Sequence, residues 1–220
     1  MEEVKFFVKK ELRYLLHRKE HLGFMVLFVL VFAVVSSLEL KELGPLFLGP
    51  LVLFVTLWTF LILILKSEQA NNTVSFLLAS PFEFREVIIG KIAAAFLLAY
   101  SAELFSFGIG AGVFWFRTAQ MLPLSASLQV LVVIPIWSWL IAGMLALSYV
   151  LFGSPLVAQV VGLGFMALFI NLGSTGTVGF LNSHPVLFVL LGLTLIVLSY
   201  YLLGRFDREW VVKRWKHSAS

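Results

Sequence analysis

Six long apolar runs occupy most of this chain of 220 residues, and they constrain its fold more than any other feature. They lie at residues 21–38, 44–65, 87–116, 126–152, 155–172 and 185–203. About 20 apolar residues suffice for a helix to cross the hydrocarbon of a bilayer. Charged residues make up only 13% of the chain, against about 25% in soluble domains. The sequence therefore predicts an all-α integral membrane protein, with six transmembrane helices in a single domain spanning 1–220.

Basic residues are unevenly divided between the two sides of these runs. Only Lys41 and Arg117 lie on one side, and the other fourteen of the 16 Lys and Arg residues lie on the opposite side. Cytoplasmic flanks of membrane helices are enriched in Lys and Arg. Both termini are therefore predicted in the cytoplasm, with the chain in the plasma or inner membrane. The net charge of +4 is explained by these flanks, so no nucleic-acid partner is expected.

Two segments outside the runs have the composition of membrane-surface elements. Residues 2–20 have the pattern of an amphipathic interfacial helix, the alternative being a cytosolic extension of the first span. The tail at 204–220 carries Trp210 and Trp215 among basic residues, which indicates a headgroup anchor. The apolar side of the interfacial helix is formed by Val4, Phe7, Val8, Leu12, Leu15 and Leu16, and the basic side by Lys5, Lys9, Arg13 and Arg18.

No catalytic constellation is recognisable in the sequence. It has no cysteine, no glycine-rich phosphate-binding motif and no cluster of histidines at metal-ligand spacing. The chain is therefore expected not to be an enzyme, and to have no catalytic residue, metal ligand or cofactor of its own.

The connection at 66–91 is polar and patterned, unlike the shorter connections elsewhere. Asn72 or Thr73 can begin a short helix with apolar residues on its surface, and Pro81 ends it. A second helix is predicted to begin near Glu83 and Glu86 and to enter the membrane as the third span. An apolar helix exposed to the cytosol indicates that a partner protein or the lipid headgroups cover its apolar surface.

The segment TVSFLLASPFEFREVIIGK, residues 73–91, resembles the corresponding loop of type-2 ABC transporter permeases. Asn72 stands where that family usually has glycine. The interfacial helix, the six spans and the cytoplasmic termini are similar to the family as well. In its small size and short loops the chain is most similar to the haem-exporter B type permeases of cytochrome c maturation. Lantibiotic-immunity permeases share this plan. The matching positions are Thr73, Leu77, Leu78, Ser80, Pro81, Glu86, Gly90 and Lys91.

This resemblance implies a permease subunit that does no chemistry itself. A separate ATPase subunit, present in two copies, would bind ATP and Mg and push on the cytoplasmic coupling helix of this loop. A second permease copy would complete a homodimeric exporter for a hydrophobic or amphipathic substrate such as haem. The residues implied in ATPase docking are Thr73, Phe76, Leu77, Leu78, Ser80, Pro81, Glu83, Arg85 and Glu86.

Three residues inside the spans are candidates for a translocation path. Glu103 lies near the middle of the third span, where a carboxylate is costly unless it faces protein or water. Its alternative role is a protonated, hydrogen-bonded structural residue, and a break at 108–112 would favour that role. Trp137 and Trp139 follow the kink expected at Pro135, and packing or lipid contact is their alternative role. A secondary transporter or channel without an ATPase, and a non-transporting membrane scaffold, remain rival functions.

Overall fold

The computed structural model describes residues 2–39, 43–70, 82–152, 157, 160–164 and 185–205. All regular secondary structure within these residues is helical, which confirms the predicted all-α class. Residues 160–164 form a short helical piece of the predicted fifth span. The elements are α1 (Glu2–His17), α2 (Lys19–Glu39), α3 (Leu43–Ala70), α4 (Phe84–Thr118), α5 (Leu124–Leu128), a π-helix (Gln129–Val133), α6 (Ile134–Phe152) and α7 (Pro185–Leu203).

The interfacial segment and the first span are separate helices that meet at Arg18. The backbone N–H of Arg18 donates to the carbonyl of Leu15 at 3.1 Å, and that of Leu22 donates to Arg18 at 3.1 Å. The imidazole of His17 lies 2.7 Å from the carbonyl of Arg13 and covers the end of α1. A helix end with satisfied carbonyls allows α1 and α2 to adopt different directions.

Helix α4 runs without interruption for 35 residues, so the glycines at 108–112 do not break it. Glu86 caps its start by accepting a hydrogen bond from the backbone N–H of Glu83 at 3.2 Å. Its end is marked by Ala119, whose left-handed conformation lets its N–H donate to Trp115 at 2.8 Å. Glu103 therefore stays near the middle of a continuous helix.

The predicted fourth span changes helix type next to Pro135. The π-helix at Gln129–Val133 passes into α6 one residue before this proline. Proline has no N–H, so the carbonyl of Leu131 cannot receive the usual α-helical hydrogen bond from position 135. The hydroxyl of Tyr100, on α4, donates to that carbonyl at 3.0 Å. The irregular backbone is thus satisfied by a side chain from a neighbouring helix.

Contacts near the helix ends give the directions of the long helices. Leu38, near the end of α2, accepts a hydrogen bond from Arg117, near the end of α4, so these two helices are parallel. The hydroxyl of Tyr149, late in α6, donates to Leu65, late in α3, at 3.0 Å. The basic end, as we call it, holds the starts of α2 and α4 and the ends of α3, α6 and α7.

The core lies between α3, α4 and α6, where small and large residues alternate. Ala94, Ala95 and Ala99 of α4 are completely buried and permit close approach of the neighbouring helices. Leucine and isoleucine side chains fill the space around them. The larger core residues include Leu53, Leu57, Leu61, Ile64, Ile88, Ile92, Ile141 and Leu145.

The outer surface carries apolar rows that a water-soluble protein would bury. In α2 the exposed row is Phe24, Leu27, Val31, Val35 and Leu38, with Phe24 63% exposed. Large exposed apolar patches mark contact with lipid or another protein. Among the described residues, Phe84–Thr118 and Val130–Phe152 are long and apolar enough to cross a membrane. The corresponding exposed row of α7 contains Val186, Leu190, Leu193, Val197 and Tyr201.

Gly90 is the point of closest approach between α4 and α1. A Cβ atom at Gly90 would clash with Cβ of Phe7. We expect Gly90→Ala to force α1 away from α4. The free energy of unfolding should fall by about 1–3 kcal/mol, as it does when a core is overpacked. Gly108→Ala, in the same helix, has no atom within 4 Å and is the matched control. It should be neutral or stabilising, since alanine has the higher helix propensity. Thermal unfolding in detergent would measure both, and equal shifts would contradict the packing argument.

Candidate functional site

Helix α1 has three different faces, of which one packs against α4. Phe7, Glu11 and Leu15 recur every fourth residue and are all buried. The predicted amphipathic pattern is therefore divided between a protein-facing row, an apolar row and a basic row. The other two rows are more accessible. The apolar row contains Val4, Val8, Leu12 and Leu16, and the basic row contains Lys5, Lys9 and Arg13.

A buried ion pair joins α1 to α4. The Nζ atom of Lys91 donates to Oε1 of Glu11 at 2.8 Å, and the two side chains are 0% and 5% exposed. Lys10 lies 3.9 Å from the same oxygen, at the surface. Removing one partner of a buried pair leaves an uncompensated charge and costs about 3–5 kcal/mol. The pair therefore fixes the position of α1 along α4.

The helices reach into the loop predicted at 66–91, since α3 continues to Ala70 and α4 begins at Phe84. Phe82, just before α4, packs the end of this connection against α1. Its ring stacks on Phe6 with the centroids 6.0 Å apart. It also meets Phe7 edge-on, with the centroids 5.0 Å apart. Edge-to-face and stacked rings of this kind are worth about 0.5–1.5 kcal/mol beyond the area they bury. The chain leaving the loop is therefore attached to α1 before it begins α4.

Arg85 connects the same loop exit to α7. Its guanidinium forms an ion pair with Glu83, and its central carbon lies 5.5 Å from the centroid of the Tyr200 ring. A cation over an aromatic face is attracted by the negative charge of that face. Glu83, Arg85 and Glu86, predicted as docking residues, thus begin α4 and touch its neighbours.

Glu3 of α1 adds a polar contact to Glu86 of α4. The hydrogen bond between the two carboxyls, and the negative charge of Glu86, raise the pKa of Glu3 above its ordinary value. A raised carboxyl pKa means that the folded arrangement binds this proton more tightly than the unfolded chain does. The contact is therefore favoured as the pH falls, although water screens it at this exposed position.

The other predicted docking residues lie outside the described residues. They belong to 71–81, so their assignment to a coupling helix stays a prediction. The structure describes the two ends of this segment, at Ala70 and Phe82. The residues concerned are Thr73, Phe76, Leu77, Leu78, Ser80 and Pro81.

Glu103 is fully buried in the middle of α4. Its side chain is buried, and within the part of the chain that the structure describes neither carboxyl oxygen has a hydrogen-bond partner. It lies on the buried row of α4 together with Ala99, Ser106 and Gly110. An unpaired carboxylate is costly to bury, and a carboxyl that carries a proton is less costly.

The two tryptophans predicted at the path both contact protein. The ring of Trp139 meets Phe96 of α4 edge-on, with the centroids 4.9 Å apart. Trp137 faces α7, where a Cβ atom at Gly192 would lie 3.7 Å from its indole nitrogen. Both side chains are half-buried. These contacts match the packing alternative, and a path role for the tryptophans remains a prediction.

Sequence reasoning did not find three of the residues that organise this region. Glu11 interrupts an otherwise apolar row between Phe7 and Leu15, and such an interruption is the one available signal of a buried partner. Phe82 and Tyr100 carry no comparable signal, because their roles depend on which helices are neighbours. No group of three His, Asp or Glu side chains suited to a metal ion occurs in the described part of the chain.

Comparison of the chain with protein-family models, curated proteins and solved structures finds no match. The functional argument therefore depends on the residues and contacts themselves.

We expect Glu103→Gln to preserve folding, because glutamine is similar in shape to a protonated glutamate and both side chains can donate and accept hydrogen bonds. Glu103→Ala should lower the free energy of unfolding by about 2 kcal/mol or more, since it leaves a cavity. The melting temperature and the size-exclusion profile of the purified protein measure both effects. Strong destabilisation by Gln would show that the carboxyl is ionised and paired in the folded protein. Transport that survives in Glu103→Gln would exclude a proton-linked role.

Proposed function

We propose that this chain is the membrane-spanning permease subunit of an ATP-driven exporter of the type-2 ABC class. The proposal depends on two contacts of the chain that enters α4. Phe82 packs against α1, and Arg85 packs against α7. A loop that receives force from a partner has to transmit it to several helices at once. The ATP and Mg would be bound by the partner ATPase, present in two copies.

The directions of the helices support six crossings. Helices α2 and α4 lead away from the basic end, and α3, α6 and α7 return to it. Phe152 and Pro185 lie at opposite ends of the bundle, and a further crossing between them is part of the proposal. The short helical piece at 160–164 falls in this interval, within the predicted fifth span.

The charges support a cytoplasmic basic end. Arg18, Lys19, Lys66, Arg85 and Arg205 all lie there. At the opposite end the described part of the chain carries Arg117 alone among Lys and Arg. Because cytoplasmic flanks retain basic residues, the termini and the 66–91 loop are assigned to the cytoplasm.

The proposed assembly is a homodimer that moves a hydrophobic or amphipathic substrate. One subunit of this size packs its helices around a filled core of leucine, isoleucine and alanine. A path for a bulky substrate would therefore lie between two copies. The haem-exporter plan noted in the sequence makes haem one substrate of this class.

A secondary transporter is the second candidate, and Glu103 is the observation that favours it. A buried carboxyl with no hydrogen-bond partner among the described residues is suited to binding and releasing a proton during transport. Such a transporter would work without an ATPase, as would a non-transporting scaffold. Association with an ATPase therefore separates the first candidate from both alternatives.

The topology can be tested directly because the chain contains no cysteine. We expect single cysteines at Ser80 and Ser218 to react with a membrane-impermeant thiol reagent from the cytoplasmic side. A cysteine at Ser183 should react from outside. Labelling of intact cells and of inverted vesicles measures the two sides. Reaction of Ser80→Cys and Ser183→Cys from the same side would rule out the six-span arrangement.

The double substitution Leu77→Ser and Leu78→Ser tests the coupling surface. Each large aliphatic side chain contributes about 1.5–3 kcal/mol when fully buried. At about 1.4 kcal/mol per tenfold change, losing both should weaken ATPase binding by about 10²–10⁴-fold. Co-purification of the ATPase with the tagged permease measures this, and permease abundance in the membrane should stay normal. Pro81→Ala should be milder, since it alters the helix end and keeps both leucines.

The matched control changes two exposed leucines at the other end of the molecule. Leu124 and Leu128, in α5, are 75% and 51% exposed. The double substitution Leu124→Ser and Leu128→Ser should leave the ATPase bound. Retention of the ATPase by the Leu77/Leu78 variant would exclude this loop as the docking surface.

A further inference from the structure

One side of α7 carries an exposed apolar row that ends in a tyrosine and an arginine. The members of this row recur every third or fourth residue, so they share one side of the helix. All of them are exposed, and Val197, near the middle of the row, is 67% exposed. The row therefore changes from apolar to polar only at the basic end. From the start of α7 towards that end it contains Val186, Leu190, Leu193, Val197, Tyr201 and Arg205.

Arg205, just beyond α7, is held over the last aromatic ring of the row. The central carbon of its guanidinium lies 5.0 Å from the centroid of the Tyr201 ring, and Nη2 donates to the Tyr201 hydroxyl at 2.7 Å. A guanidinium has five N–H donors, so this contact leaves others free to bind an anion. Within the part of the chain that the structure describes, no carboxylate forms an ion pair with Arg205.

Arg85, at the start of α4, brings a second guanidinium to the same place. It lies over Tyr200, and a Cβ atom at Gly204 would be 3.6 Å from its Nη1 atom. Glu83 pairs with Arg85. Two guanidinium groups thus meet one carboxylate, which leaves a net positive charge between the start of α4 and the end of α7. We call this group the arginine corner; it consists of Glu83, Arg85, Tyr200, Tyr201 and Arg205.

An apolar row that leads to such a corner matches the chemistry of a phospholipid. Tyrosine and arginine are typical of the level at which membrane helices reach the headgroups. Arginine binds phosphate oxygens through charge-assisted hydrogen bonds, and basic sites between membrane helices bind anionic headgroups. A second copy of the chain packed on this row would bring its own arginine corner to the same level, and the like charges would repel each other.

We propose that the arginine corner binds the headgroup phosphate of an anionic phospholipid, whose acyl chains lie along the exposed row of α7. The lipid belongs to the leaflet at the basic end. The net positive charge of the corner selects an anionic headgroup over a zwitterionic one, which carries a positive group of its own. This site requires no ATPase, so the inference and the proposed function are tested independently.

The test places a photoreactive benzoylphenylalanine at position 197, in place of Val197, in the full chain reconstituted into vesicles. The vesicles contain phosphatidylcholine and a minority of phosphatidylglycerol, both with the same acyl chains. After illumination, mass spectrometry measures the ratio of the two lipids among the cross-linked products. Benzoylphenylalanine in place of Val186 is the matched control, because Val186 lies on the same row at the opposite end of α7.

We expect phosphatidylglycerol to be enriched about fivefold at position 197 over its share of the vesicle, as one net positive charge near an anionic headgroup predicts. The products at position 186 should have the ratio of the vesicle itself. Equal ratios at the two positions would overturn the inference, because headgroup charge would then have no effect. Cross-links at position 197 to a second copy of the chain, in place of lipid, would overturn it as well, since the row would then be a protein interface.

Arg205→Gln tests the arginine corner itself, because it removes the net positive charge and retains a polar side chain. The enrichment at position 197 should disappear in this variant. Arg205→Lys should retain part of it, since lysine keeps the charge but lacks the planar guanidinium. Lys66→Gln removes an exposed cation from the same end of the bundle and should leave the enrichment unchanged. Equal losses in Arg205→Gln and Lys66→Gln, or no loss in Arg205→Gln, would show that the corner is not a defined lipid site.

Discussion

The buried ion pair between Glu11 and Lys91 is the constraint on which the basic end of this protein depends. Two charges removed from water are stable only while they stay together, so the helices that carry them are held in one relative position. Gly90, beside Lys91, provides the close approach that the pair requires. Phe82 extends the attachment to the chain just before α4. Helix α1 and the start of α4 are thereby held together as one unit.

Much of the helical framework follows from the sequence, because lipid requires every span to satisfy its own backbone. The sixth run coincides with α7, and the third and fourth lie within helices seen in the structure. The π-helix before Pro135 could be predicted only in part. A proline predicts that a backbone carbonyl loses its partner, but the partner that replaces it, Tyr100, is known only from the packing of α4.

The candidate site was predictable only where local sequence pattern determines the structure. Local pattern placed Glu83 and Glu86 at a helix start, where both are found. Pattern also separated apolar from basic residues in α1, but could not tell which apolar row faces protein. Glu103 was recognised from its chemistry, and its burial is observed; the contribution of the carboxyl to function depends on groups that sequence spacing does not specify.

The length of α4 has a consequence for where a partner would meet this protein. At 1.5 Å per residue, its 35 residues extend about 52 Å, whereas the hydrocarbon is about 30 Å thick. Even a tilt of about 40° uses only about 39 Å of that length. At least about 13 Å of helix must therefore stand beyond the hydrocarbon. Where α4 crosses a bilayer, part of this length, such as the polar start at Glu83 and Arg85, is within reach of a protein outside the hydrocarbon.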